Sequence, residues 1–236
     1  MDLISQKIET SALQEGDHIY TWRRVKTYSH HGIFVEKDII IHFLSTTNVA
    51  GGISSVSSFS KNALCSMSHY GVEKVAGSGI RMCCIDCFIK KGKLYRFKYE
   101  ASREFLLAKL RGGTCTTATP DTPGDVIARA IYLFENGYDK YHLLKNNCED
   151  FALYCKTGLW STDADNKGKS SQAVMVRKAD DEHGHKSKKL VKRLKNVFPK
   201  YCLKRMNNDL GNRQDVVKID LTELLLNISY IYPETD

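Results

Sequence analysis

The chain has 236 residues, 42% of them hydrophobic, which suits one well-packed domain with appendages better than two equal domains. Its net charge of +8 is concentrated between Lys167 and Arg205, so the rest of the chain is close to neutral. No apolar run reaches the about 18–20 residues of a membrane span, and none follows Met1. We therefore expect a cytoplasmic protein without a signal peptide or transmembrane segment. In that reducing compartment its eight cysteines are thiols, metal ligands or a nucleophile rather than disulfides.

The first informative segment is a predicted β-hairpin. Two apolar runs, residues 30–35 and 39–43, are separated only by the turn residues 36–38. So short a turn implies antiparallel strands. Because His30 and His42 sit near the outer ends of these runs, folding at the turn brings the two imidazoles close together.

A possible metal site follows the hairpin. Cys65 and His69 have three residues between them, and Cys84 and Cys87 follow with two residues between them. Two loops that each offer two soft ligands are a recurring arrangement for structural zinc. The alternative is a set of buried free thiols that bind no metal.

Several elements are predicted between these cysteines and the next motif. The alternating segment Lys93–Tyr99 predicts a strand with Tyr95, Phe97 and Tyr99 on one face. A short helix is expected over residues 102–110, and residues 111–116 suggest a turn into another strand. A longer helix is predicted to begin at Thr122-Pro123, with Thr122 as its cap, and to end at Asn136-Gly137.

Cys148 opens a further predicted helix. Asn147 is a suitable cap, apolar residues recur at helical spacing after it, and Gly158 is a typical stop. In the first turn of a helix, unpaired N–H groups and the macrodipole favour a thiolate over a thiol. The alternative for this residue taken alone is a buried structural cysteine beside an Asn cap.

Together the hairpin and this helix supply the groups for thiol-dependent acyl transfer. Cys148 is the candidate nucleophile, His30 the base that takes its proton, and His42 the partner that orients His30. Backbone N–H groups at the start of the Cys148 helix are the candidate donors to the tetrahedral oxyanion.

Beyond Trp160 the composition changes to that of a linker over residues 161–205. Residues 185–205 contain a basic amphipathic pattern, which suits an anionic membrane surface. A nuclear-import or nucleic-acid patch uses the same charges, and a solvated tail is the third alternative. The absence of interspersed aromatic residues disfavours nucleic acid. Residues 206–236 carry enough apolar side chains to pack back on the domain.

The histidine and cysteine motifs resemble those of the lecithin:retinol acyltransferase family, in its plant NC-domain branch. The match comprises His30-His31-Gly32-Ile33-Phe34, His42 twelve positions after His30, and Asn147-Cys148-Glu149-Asp150-Phe151. The turn Glu36-Lys37-Asp38 departs from the Gly-Asp that relatives often have. This resemblance implies an α+β, circularly permuted papain-like domain over residues 13–160, within the NlpC-type superfamily, with an antiparallel sheet packed against helices.

The resemblance also implies an activity. An acyl lipid or another acyl donor forms a thioester on Cys148, and the acyl group passes to an alcohol, an amine or water, with no metal or other cofactor in catalysis. The expected function is therefore an acyltransferase or acyl hydrolase, including the phospholipase type. Two alternatives remain: a cysteine peptidase or amidase, and a non-enzymatic module that binds membranes or proteins.

Overall fold

The computed structural model describes residues 6–23, 28–44, 79–108, 113–138, 147–162 and 206–226. These residues form an α+β structure, as the sequence predicts. The strands are β1 Gln6–Lys7, β2 His18–Arg23, β3 Tyr28–Glu36, β4 Ile39–Phe43, β5 Ile80–Cys84, β6 Leu94–Arg96, β7 Leu159–Ser161 and β8 Val216–Lys218. The α-helices are α1 Ile85–Ile89, α2 Arg103–Ala108, α3 Pro123–Asn136, α4 Cys148–Thr157 and α5 Leu221–Leu226, with 3₁₀ helices at Thr10–Ala12 and Leu210–Asn212.

The main sheet is antiparallel and has the strand order β1-β6-β2-β3-β4-β5. The predicted hairpin is confirmed as β3 and β4, which turn at a left-handed Lys37 (φ 47°) and pair Gly32 with His42. Gly32 is required here because a methyl group at its Cα would lie 2.8 Å from the Ile40 side chain and 2.9 Å from Phe88. The glycine therefore lets α1 approach the hairpin closely.

The two faces of the hairpin are buried by different helices, because successive strand residues point to opposite faces. On one face Ile33 and Ile41 pack with residues of α3 and α4, including Cys148. On the other face Phe34 and Ile40 pack with Phe88 of α1. The hairpin is thus the central layer between α1 on one side and α3 and α4 on the other.

Both long helices begin and end where the sequence predicts. Thr122 caps α3 by accepting a hydrogen bond from the Asp125 N–H, and Gly137 follows its last residue. The helix α4 ends at Gly158, whose φ of 67° places it in the left-handed region that glycine tolerates best. Arg129 joins the two helices, since its guanidinium donates to the Cys155 carbonyl at 2.5 Å.

Some expected elements differ. The strand predicted over residues 93–99 is shorter, although Tyr95, Phe97 and Tyr99 do share one aromatic cluster. The prediction that residues 111–116 lead into another strand is wrong, because the described residues between Gly113 and α3 contain no strand. There Cys115 makes only an isolated parallel bridge to Lys98, whose N–H donates to the Thr114 carbonyl and whose carbonyl accepts from the Thr116 N–H.

The C-terminal segment contacts the domain at several places: the Asp209 carboxylate accepts hydrogen bonds from the Thr117 N–H and hydroxyl, and Leu210 is buried beside Tyr20 and Tyr95. Strand β8 pairs antiparallel with β7, and the Thr162 N–H donates to the Asp215 carbonyl. Val217, Leu225 and Leu226 nevertheless remain 46%, 47% and 61% exposed. Residues 163–205, which include the predicted basic amphipathic helix over 185–205, lie outside the described residues. No helix within the described ranges has the length and apolarity needed to cross a membrane.

Candidate active site

The N-terminus of α4 is built by a reciprocal cap. The Asn147 side chain accepts hydrogen bonds from the Glu149 and Asp150 N–H groups, and the Asp150 carboxylate accepts one from the Asn147 N–H at 3.0 Å. Asn147 is 2% exposed, so the cap is buried against the sheet. The predicted position of Cys148 as the first residue of this helix is confirmed.

This cap reduces the number of first-turn N–H groups that could donate to an oxyanion. The expectation that several first-turn N–H groups are open is wrong, because Asn147 already accepts the Glu149 and Asp150 donors. The Phe151 N–H donates to the Asn147 carbonyl in the ordinary helical pattern. The Cys148 N–H is the first-turn donor that the cap leaves unused.

The Cys148 sulfur lies against the backbone of β3. Its thiol donates to the Ser29 carbonyl at 3.8 Å, and a backbone hydrogen bond links the sulfur to His31. These two contacts involve the peptide groups on either side of His30. The sulfur therefore meets the strand at the Cα of His30, and Cys148 is only 5% exposed.

Burial decides the protonation of Cys148. Burial, with a smaller contribution from the carboxylates of Glu149 and Asp150, raises the pKa of the thiol to about 12, against the hydrogen bond from His31. Burial thus opposes the thiolate that the helix N-terminus is expected to favour. With its pKa raised in this way, Cys148 is a neutral thiol at physiological pH.

The hairpin brings the two predicted histidines together. His30 Nε2 and His42 Nδ1 are 2.8 Å apart, and the ring centroids are 5.0 Å apart. Burial, together with nearby cations, lowers the pKa of His30 well below its usual value and that of His42 to about 3. The predicted proximity is confirmed, and both imidazoles are neutral at physiological pH.

A neutral pair shares one proton along this bond. If the His30 Nε2–H donates to His42 Nδ1, then His30 Nδ1 carries a free lone pair and can act as a base. The proton of His42 then lies on Nε2, which is buried and has no hydrogen-bond partner among the described residues. His42 can thus hold His30 in its basic tautomer, as an orienting residue must.

The rings and the sulfur approach the strand from different directions. His30 and His42 both contact the Phe88 ring, at centroid distances of 5.2 and 5.8 Å, on the α1 side of the sheet. Cys148 packs on the α4 side with Ile33 and Ile41. The prediction that the two histidines face the cysteine stays a prediction, since the described contacts of the sulfur are with the peptide groups on either side of His30.

Sequence reasoning missed two groups at the site. His31 lies on the α4 side of β3 and is 2.8 Å from both Ser29 Oγ and His18 Nε2. Strand alternation could have placed it there, because His31 must point away from His30. Arg23 is the second group: it donates to the Phe88 and Ile89 carbonyls and lowers the pKa of both histidines. No sequence signal identifies Arg23.

The candidate zinc ligands are only partly described. Cys65 and His69 lie outside the described residues, while Cys84 ends β5 and Cys87 lies within α1. Neither forms a disulfide in the described part of the chain. Across the described part of the chain no three His, Cys, Asp or Glu side chains are grouped to hold a metal. The zinc site stays a prediction.

Comparison with known proteins gives two matches in sequence. Residues 11–161 match the sequence model of the family described as lecithin retinol acyltransferase. The chain is 36% identical over 240 residues to the protein LEAD-SENSITIVE 1 of Arabidopsis thaliana, covering 97% of this chain and 92% of that protein. The name of that relative states no reaction. No solved structure matches the chain.

Proposed function

Because this chain belongs to the lecithin:retinol acyltransferase family, we propose that it is a thiol-dependent acyltransferase or acyl hydrolase that works through an acyl-thioester on Cys148. The observation that carries this proposal is the 2.8 Å bond between His30 and His42, at the point of β3 that the Cys148 sulfur touches. A nucleophile, a base and an orienting group in that order are what acyl transfer requires.

The first half of the reaction forms the thioester. As the Cys148 sulfur attacks the donor carbonyl, its proton passes to His30 Nδ1, and His42 accepts the Nε2–H of the imidazolium that forms. The Cys148 N–H is the candidate donor to the oxyanion. The ester C–O bond then breaks, and the departing alcohol takes the proton from His30. In the second half an alcohol, an amine or water gives its proton to His30 and attacks the thioester. The C–S bond then breaks, the acylated product leaves, and the Cys148 sulfur takes the proton back from His30.

The resting protonation suits proton transfer during attack rather than a preformed ion pair. The thiol pKa of about 12 and the low imidazole pKa values keep the proton on sulfur before substrate binds. General-base catalysis of this kind contributes typically about 10²–10⁴ in rate. His30 is therefore required for attack, not merely for thiol ionisation.

A covalent adduct tests the proposal directly. Incubated with a panel of acyl lipids and activated esters, the protein should gain the mass of one acyl group, located on Cys148 by peptide mass spectrometry. Cys148→Ala should gain none. Cys155→Ala is the matched control, because Cys155 lies on the same helix, is fully buried and is not at the hairpin.

The two histidines should contribute unequally. His30→Gln removes the base and should slow adduct formation by about 10²–10⁴. His42→Gln keeps an acceptor for His30 and should slow it less than His42→Leu, which leaves a buried donor unpaired. Equal rates for wild type and His30→Gln across the panel would refute the assignment of His30.

A non-enzymatic interaction module is the second candidate function. The observation that favours it is the 5% exposure and high pKa of Cys148, which are properties of an inert structural thiol. This candidate gains support if no donor acylates Cys148. Turnover of peptides or amides without acyl-lipid turnover would instead indicate a peptidase or amidase.

We propose an acyl lipid as donor and an anionic membrane surface as the partner of residues 185–205. Their positive charge suits acidic lipid headgroups, whereas nucleic acid is disfavoured. The proposed catalysis uses no cofactor. Metal analysis of the purified protein tests whether it binds structural zinc. Sedimentation with acidic and with neutral vesicles tests the membrane proposal, which requires that removing residues 185–205 lowers binding to the acidic vesicles only.

A further inference from the structure

A second set of polar side chains runs beneath α4, apart from the His30–His42 pair. Ser29 Oγ is 2.8 Å from His31 Nε2, His31 Nδ1 is 2.8 Å from His18 Nε2, and His18 Nδ1 is 2.7 Å from the Tyr99 hydroxyl. We call these four residues the buried chain. It crosses from β3 to β2 and on to the segment that follows β6.

The buried chain is fully enclosed and internally satisfied. Ser29 and His31 are 0% exposed and His18 is 1% exposed. His18 stacks on Phe97 at a centroid distance of 4.3 Å, and His31 stacks on Tyr20 at 5.4 Å. Each imidazole has a partner at both ring nitrogens, so a neutral ring donates once and accepts once. Buried polar networks that are satisfied in this way hold their members in one geometry.

Both ends of the buried chain contact α4. At one end Ser29 and His31 supply the carbonyl and the backbone hydrogen bond that meet the Cys148 sulfur. At the other end the Lys156 ammonium, in the last turn of α4, lies 5.9 Å from the centre of the Tyr99 ring. The two chain members nearest the sulfur are thus also the two residues that flank His30.

We propose that Ser29, His31, His18 and Tyr99 are positioning residues for the nucleophile: they fix the two peptide groups that hold the Cys148 sulfur beside His30. The backbone hydrogen bond from His31 favours the thiolate, whereas burial and the neighbouring carboxylates oppose it. Loosening the chain therefore weakens the one contact from β3 that helps the sulfur to ionise. The relevance of this role to catalysis rests on the proposed function, namely that Cys148 reacts with an acyl donor.

Alkylation of Cys148 by iodoacetamide tests the role without any acyl donor. The full-length protein and its Tyr99→Phe variant are treated at about pH 8, and the modified peptide is quantified by mass spectrometry. Removing one hydroxyl leaves His18 Nδ1 without its partner. We expect alkylation of Cys148 to slow by about threefold or more, the change produced by half a pKa unit.

The controls separate positioning from loss of stability. Tyr95→Phe removes a hydroxyl from the same aromatic cluster but not from the chain, and it should leave the rate unchanged. Cys155 is the internal reference, because it is buried on the same helix and becomes reactive only when the protein opens. Ser29→Ala, which breaks the chain at its other end, should slow alkylation as Tyr99→Phe does.

Each outcome decides the proposal. Slower alkylation of Cys148 with Cys155 unchanged supports positioning, and a lower kcat with an unchanged KM in acyl-adduct formation would extend that support to catalysis. The positioning role is overturned if Cys148 in Tyr99→Phe is alkylated at the same rate as in Tyr95→Phe, or faster. Slower alkylation in a protein that no donor acylates would keep the positioning role and refute acyl transfer.

Discussion

At the scale of single residues, burial determines the protonation state of the two histidines and the cysteine of the candidate active site. His30, His42 and Cys148 each lie in an environment that disfavours their charged forms. A thiolate–imidazolium pair is therefore absent from the resting state of the described site. The reactive state has to form as substrate enters and the proton moves from sulfur to His30.

The pH dependence of Cys148 alkylation should reflect this. Because burial raises the pKa of the thiol to about 12, the thiolate fraction increases by about tenfold for each pH unit below that value. We expect the logarithm of the alkylation rate to rise linearly from neutral pH to the alkaline limit of protein stability. Peptide mass spectrometry measures the rate, with Cys155 reporting any opening of the fold. A plateau reached at or below neutral pH would indicate a preformed ion pair.

At the scale of elements, the site is the contact between one helix terminus and one hairpin. The cap of α4 has two functions at once: Asn147 satisfies the buried N–H groups of Glu149 and Asp150, and it fixes the helix so that Cys148 meets β3. The cap of α3 at Thr122 likewise accepts a hydrogen bond from the N–H of its third helical residue, Asp125, but Thr122 is exposed at the surface. The two caps can therefore be compared directly.

Replacing each cap by alanine should separate stability from reactivity. Asn147→Ala and Thr122→Ala should each lower the free energy of unfolding by about 0.5–2 kcal/mol, the usual effect of losing an N-cap. Only Asn147→Ala should also slow alkylation of Cys148, because it frees the helix start that holds the sulfur. Urea denaturation gives the stabilities. An equal effect of both variants on Cys148 would show that reactivity follows global stability alone.

At the scale of the whole molecule, four histidines are buried in a neutral state on the two sides of one sheet. His30 and His42 lie on the α1 side, and His18 and His31 lie beneath α4. Burial is the first cause of the lowered pKa in all four, and the value is about 3 for His31 and His42. Unfolding returns each imidazole to water and to an ordinary pKa near 6.5.

The fold should therefore lose stability in mild acid. Below the unfolded pKa of about 6.5 the unfolded chain binds protons that the folded chain does not, so stability falls as pH decreases. Four such groups give a limiting slope of about 5 kcal/mol per pH unit, four times the 1.36 kcal/mol of a single group. Urea midpoints measured from pH 7 to about 5 test this. His42→Gln should make the slope shallower by the contribution of one group, about 1.36 kcal/mol per pH unit. A flat profile would contradict the burial of the four histidines in their neutral form.

The sequence determined the local features of this protein, because caps, turn residues and alternation act over a few neighbouring positions. Asn147 before Cys148, Gly158 after α4, Thr122-Pro123 before α3 and the turn at residues 36–38 all appear where the pattern predicts. The proximity of His30 and His42 followed from the short hairpin. The family followed from the order and spacing of the two histidines and the cysteine, and the sequence matches confirm it.

Only the tertiary structure decided how these local features meet. The crossing of α4 over β3 places the Cys148 sulfur at the backbone beside His30, buries it, and so opposes the thiolate that the helix N-terminus is expected to favour. The same packing recruits His18 and Tyr99, from distant parts of the chain, to a site whose motif names neither. Burial depends on which elements cover a residue, and desolvation grows with burial, so a one-dimensional pattern does not contain the energy of the charged state.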